Sequence, residues 1–191
     1  MSSSPTLAWL LASTLLAAPR LADAQAAAPS ATPSQAQPDP LSPLDGLLGR
    51  WTFEDRSTAE AGFDYVERGT RVCERAIKDA YVVCRSVSEG PRPREYHFFF
   101  NYNDIDKRFE MIALFSNWGR KMRYDVRVFD GGRRLELVAD AQVRPDRVDR
   151  SWATIRVESD SRIVWETRRN RSDRLPDDWP VITREVATRI R

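Results

Sequence analysis

From Arg50 to Asn170 apolar and polar residues alternate with a period of two, and turn residues break the run at short intervals. That spacing belongs to half-buried strands and leaves little room for helices. The clearest case follows Glu95. Tyr96, Phe98, Phe100 and Tyr102 share one face of a strand, and His97, Phe99 and Asn101 share the other. Residues 103–107 form a turn, after which Phe109, Met111, Ala113 and Phe115 share a face. Met122, Tyr124, Val126 and Val128 then alternate with Arg123, Asp125 and Arg127. Asp130-Gly131-Gly132 is a hairpin signal, and Leu135, Leu137 and Ala139 continue the apolar face beyond it. A further hairpin joins 148–158 to 162–170 through Ser159-Asp160-Ser161. With 50–56, 63–68, 70–76 and 81–88 the count reaches nine or ten strands.

Strands joined only by tight turns are antiparallel neighbours. A meander of that length with one apolar face needs closure or a second layer, and closure removes exposed edges. The expected fold is therefore all-β, an up-and-down antiparallel barrel. The tail, 179–191, reads either as a short helix, on Trp179, Ile182, Val186 and Arg189, or as a poor strand.

The first quarter of the chain has a different character. Residues 7–18 are an apolar run, too short for a membrane span but of the right length for a signal-peptide core. Ala22-Asp23-Ala24 follows as a small-x-small cleavage pattern, although Met1–Thr6 carries no Lys or Arg. The expectation is a leader over 1–24 and a mature protein that is periplasmic or secreted. Residues 25–43 are rich in Ala, Pro, Ser and Gln and have no aromatic residue, so they read as a disordered tether. The barrel domain is then 44–191.

Charge excludes one class of partner. The formal net charge is +2, and Arg20, Asp23 and Asp39 together leave +3 for the domain. Thirty basic residues are interspersed with 28 acidic ones, so no nucleic-acid face is expected. Arg168, Arg169, Arg171 and Arg174 are a local excess and read as a solvated strand end.

Cys73 and Cys84 are the only thiols, and they flank a turn at 77–80. If Ala76 faces Tyr81, Cys73 falls opposite Cys84, close enough to bridge. In an exported protein the pair is expected as a disulfide. In the same register Val72, Glu74 and Ala76 share a face with Tyr81, Val83, Arg85 and Val87. That face is the more apolar one, so it is expected to point inward with the disulfide outside. Glu74 and Arg85 then pair across the hairpin, either as a structural ion pair or as a polar anchor for a ligand.

The start of the domain, with Leu44, Leu47 or Leu48, Gly49 and Trp51, resembles the opening of lipocalin-like (calycin-type) barrels. The turn at 102–107, the aromatic strand around Phe115 and Trp118, and the Asp130-Gly131-Gly132 hairpin are similar to exported bacterial members of that group. The resemblance covers most of 44–171 and implies a barrel with a small apolar cavity, in many members without known activity.

Motifs for hydrolysis, phosphate binding and dinucleotide binding are absent from the sequence. The single histidine, His97, lies opposite Phe98 and Phe100 and reads as an ordinary strand residue, not as a haem ligand. Asp104 and Asp106 lack the glycine and distal glutamate of a calcium loop and read as turn residues. No metal or cofactor is expected. The leading expectation is a barrel that binds a small, largely apolar ligand without catalysis. Its candidate contacts are Trp51, Phe98, Phe100, Tyr102 and Tyr124, with Glu74 and Arg85 as polar contacts. The alternatives are a calycin-type enzyme using Glu74, and an interaction module with a filled core and an exposed Trp118 or Phe99.

Overall fold

In the computed structural model ten antiparallel strands close into one barrel. The structure describes residues 39–90, 93–144, 147–168, 170 and 178–191. The expected leader and the tether up to residue 38 lie outside them. In chain order the strands are β1 (Gly49–Ser57), β2 (Val66–Ala76), β3 (Tyr81–Glu89), β4 (Glu95–Asn103) and β5 (Arg108–Phe115). They continue as β6 (Trp118–Phe129), β7 (Arg134–Arg144), β8 (Arg147–Ser159), β9 (Arg162–Arg168) and β10 (Val181–Arg189). Each pairs with its sequence neighbours, and β1 pairs with β10 to close the ring, Phe53 opposite Ala187.

One detail differs from the sequence reading, and one that it left open is decided. Residues 63–68 and 70–76 are not two strands: β2 is a single strand, with Gly69 paired to Phe53 on one side and Ser88 on the other. A Cβ on Gly69 would lie 2.1 Å from the Val87 carbonyl oxygen and 2.8 Å from the Phe53 ring. The glycine is thus a close approach inside a strand and not a turn. The C-terminal segment is strand β10 and not a helix. Its inward residues include Glu185 as well as Ala187, so the apolar alternation that marks a strand is hidden.

One end of the barrel is plugged. The 3-10 turn Ser42–Leu47 sets Leu44 and Leu47 into the core beside Leu41 and Trp51, all nearly inaccessible. Leu41 falls within the stretch that composition reads as tether. The Trp51 indole donates to the Leu47 carbonyl at 3.0 Å. Arg75, at the same end of β2, pairs with Asp39 and Asp45 at 2.9 and 2.5 Å. Gly132, with φ of 98°, lies so close to Pro43 that a Cβ there would be 1.8 Å from its carbonyl oxygen. The other end is the one at which β1 finishes and β2 begins, and no described residue plugs the interior there.

The inside–outside pattern of β4 to β6 is as expected. Phe98, Phe100, Met111 and Tyr124 are buried, and Arg123, Asp125 and Arg127 are exposed. Cys73 pairs with Cys84, Ala76 with Tyr81, and the two sulfurs are bonded. The face assignment of that hairpin is reversed, however. Cys73 and Cys84 are buried in the core, and Glu74 and Arg85 lie outside.

Candidate functional site

The barrel encloses a cavity of about 460 Å³ at its open end. Its walls come from the last inward residues of the odd-numbered strands β1, β5 and β9 and the first inward residues of the even-numbered ones. One wall is apolar: Met111 and Phe115 from β5, Met122 and Tyr124 from β6. Trp165 on β9 and Phe98 on β4 continue it, their ring centroids 5.0 Å apart. A second, much smaller void of about 10 Å³ lies below, between Trp51, Phe100 and the disulfide.

The opposite wall is polar. It is built on β10, β1 and β2, where the register sets Glu185 beside Asp55 and Asp55 beside Glu67. All three residues line the cavity. Two arginines neutralise the outer two. Arg71, two turns of the pleat further down β2, sends both Nη atoms to the Glu185 carboxylate at 2.7 Å and donates Nε–H to Ser86 at 2.8 Å. Its guanidinium lies 5.3 Å from the Phe53 ring centroid, 5.4 Å from that of Trp165 and 5.5 Å from that of Phe98. Arg94, just ahead of β4, donates to Glu67 at 2.6 and 3.0 Å and to the Tyr65 hydroxyl at 2.6 Å. The hydroxyls of Tyr65 and Tyr96 both donate to Glu67, that of Tyr96 at 2.7 Å. Bidentate, charge-assisted pairs of this kind are the strong ones, and each needs both partners.

Asp55 has no such partner among the described residues. Its Oδ1 is buried without a hydrogen bond. Burial, reinforced by the charges of Glu185 and Glu67, pushes its carboxyl up to about 7, and Arg71 and Arg94 only partly offset this. Glu67 goes the other way. Its burial is outweighed by hydrogen bonds from Ser88, Tyr65 and Tyr96 and by the Arg94 charge, which hold it below the usual carboxylate range. Burial and the bond to Glu67 raise the phenols of Tyr65 and Tyr96, which stay protonated. Carboxyls side by side with divergent proton affinities mark a site able to hold or exchange a proton near neutrality.

Of the residues singled out from sequence, Phe98 and Tyr124 line the main cavity, and Trp51 and Phe100 line the small void beneath. Tyr102 is half-buried near the plugged end, against Phe109. Glu74 and Arg85 are not part of the cavity: they form an exposed ion pair of 3.4 Å on the outer surface. An exposed pair of this kind contributes little. His97 is on the outer face, 2.5 Å from Glu95 and stacked on Phe99. Asp106 sits in a turn whose backbone N–H bonds to the Asn103 side chain at 3.1 Å. The side chain of Trp118 lies outside the described residues.

Sequence reasoning missed the polar wall. A usable signal was present in β1: Trp51, Phe53 and Asp55 share a face by period two. Trp51 inside the barrel therefore implies Asp55 inside as well.

No known protein family and no curated protein matches the chain. Among solved structures, the crystal structure of Rv2717c from M. tuberculosis is similar, with a TM-score of 0.55 at 11% sequence identity. The match covers 80% of this chain and 98% of that one. At such low identity it speaks for the barrel fold alone.

Proposed function

We propose that this is an exported, lipocalin-like barrel that binds a small, largely apolar molecule in its open cavity and does not transform it. The observation that carries the reading is the cavity itself. About 460 Å³ lies within the range of small-molecule sites, and its wall of Met111, Phe115, Met122 and Tyr124 faces a few placed polar groups. A barrel serving only as a rigid interaction module would fill this space with side chains. The disulfide and the apolar leader-like run support a location outside the cytoplasm.

Native mass spectrometry of protein purified from its own compartment tests the reading. It should find a bound small molecule, or stoichiometric uptake of an apolar fluorophore reported by Trp165. A Met111→Trp variant, which fills the cavity, should abolish that uptake. Equal dye binding by the variant would move the site elsewhere, and no binding by either protein would refute the reading.

Asp55 favours a second reading, an acid–base enzyme, because its carboxyl titrates near neutrality inside a pocket. The carboxylate of that alternative is Asp55 and not the exposed Glu74. Chemical change in a bound ligand, lost in Asp55→Asn, would favour it over simple binding.

A further inference from the structure

Among the described residues, the charged groups that face the cavity can be paired off one by one. Arg71 of β2 is engaged by Glu185 of β10, and Arg94 by Glu67 of β2. Tyr65 and Tyr96 turn their hydroxyls toward Glu67. Asp55 of β1 is left over, flanked in the register by both carboxylates and with a buried oxygen that bonds to nothing. Among the described residues, the pocket therefore carries one acidic group more than its arginines neutralise. Its walls are also segregated. In the strand order β1 and β6 lie on opposite sides of the ring, so Asp55 looks across the cavity at Met122 and Tyr124.

An apolar acid fits this arrangement badly. Both guanidiniums already have carboxylate partners, and a ligand anion would meet three acidic side chains. A neutral alcohol would satisfy a hydrogen bond but leave the Asp55 charge uncompensated wherever Asp55 is ionised. A cation removes the deficit, and its apolar body has the far wall to lie against.

We propose that the ligand is an amphipathic amine: a protonated or quaternary nitrogen held by Asp55, and an apolar body against Met111, Phe115, Met122 and Tyr124. This deepens the ligand-binding reading and rests on it. It also has a proton signature. Free Asp55 keeps its proton to about pH 7, and a cation beside it drives that proton off. Binding of a cation below neutrality therefore releases close to one proton, and affinity rises with pH until Asp55 is ionised in the free protein. Among the described residues, the other groups facing Asp55 are Glu185, Glu67, Arg71, Arg94, Tyr65 and Tyr96. The two carboxylates and two guanidiniums are paired with each other, and the phenols of Tyr65 and Tyr96 stay protonated.

The test is calorimetry on the intact domain with decyltrimethylammonium and decanoate, each below its micelle concentration, and decanol below its solubility limit. Expected is a preference for the cation over decanoate of about tenfold or more at pH 8, the worth of one charge-assisted hydrogen bond or ion pair. Decanol should fall between. At pH 6 the cation should release about one proton and at pH 8.5 almost none, read from buffers of different ionisation enthalpy. Asp55→Asn should bring cation and alcohol to within about threefold of each other and abolish the proton release, with alcohol binding intact. Decanoate binding as tightly as the cation, or a cation preference that survives Asp55→Asn, overturns the inference and leaves the binding barrel standing. Failure of all three probes removes the binding reading itself.

Discussion

Asp55 makes the stability of the empty barrel fall as pH rises, and the size of the effect follows from its surroundings. In the unfolded chain its carboxyl ionises near the ordinary value of 3.8, and in the folded protein it holds its proton to about 7. Folding therefore takes up a proton between those values. The unfolded state binds fewer protons, so stability declines by about 1.4 kcal/mol per pH unit through that window and levels off above it. The whole span is on the order of 4 kcal/mol, a large fraction of the 5–15 kcal/mol typical of a domain. Asp55→Asn keeps the shape and removes the charge. Urea denaturation of both proteins from pH 5 to pH 8.5 isolates the effect, because other titrating groups cancel in the difference. The variant should gain about 3 kcal/mol on the wild type between pH 5 and pH 8.5, the part of the span that lies between pH 5 and 7. Parallel curves would mean that Asp55 is not buried as described. A variant less stable than the wild type at high pH would mean that Asp55 has a cationic partner, and the surplus charge of the cavity would vanish with it.

Three further outcomes follow from the geometry. Phe100→Ala, at a site 1% exposed, should cost about 3–5 kcal/mol in urea midpoint analysis, while exposed Arg127→Ala should stay within about 0.5 kcal/mol. The reverse order would invalidate the facing of β4 and β6. Arg71→Ala strips Glu185 of its bidentate partner and should destabilise by about 3–5 kcal/mol near pH 7; replacing Arg71 and Glu185 together by methionine should recover most of the loss. Unfolded, unreduced protein should show no free thiol, and reduction of Cys73–Cys84 should lower stability by about 2–3 kcal/mol, as expected for so short a closed loop.

The barrel was legible in the sequence because its decisive signal is local. Alternation marks each strand, tight turns make neighbours antiparallel, and Phe98, Phe100 and Tyr124 fall inside by period two alone. The hairpin register was legible too, since the turn length fixes Cys73 opposite Cys84. Which way that hairpin faces was not. Val72, Val83 and Val87 make the outer face look apolar, while the inner one carries Glu67, Arg71, Ser86 and Ser88, which polarity alone would send to solvent. The register across β3 and β4 resolves the choice, because Cys84 lies beside Phe98 and Val82 beside Phe100. Residues facing the same neighbour must share its side, so inward Phe98 and Phe100 carry the disulfide inward with them. The loop between β3 and β4 has no fixed turn type, and without it the register was not available to the sequence.

The polar wall was hidden for a deeper reason: it exists only where the chain's ends meet. Asp55 and Glu67 come from the first two strands, and Glu185 comes from the last, more than a hundred residues away in sequence. Period-two patterning finds strands whose inner face is apolar. It fails at β10 because that strand carries Glu185 inward, and Glu185 is needed there because Arg71 reaches across Phe53 to meet it. The same substitution of charge for hydrophobe that makes the last strand look unlike a strand is what equips the cavity. The consequence is that site and closure are one event. Without β10 paired to β1, Arg71 loses its carboxylate, β1 and β9 become open edges, and Asp55 faces water and titrates as an ordinary carboxyl. The proton affinity of Asp55 is therefore a direct report on whether the ring is shut.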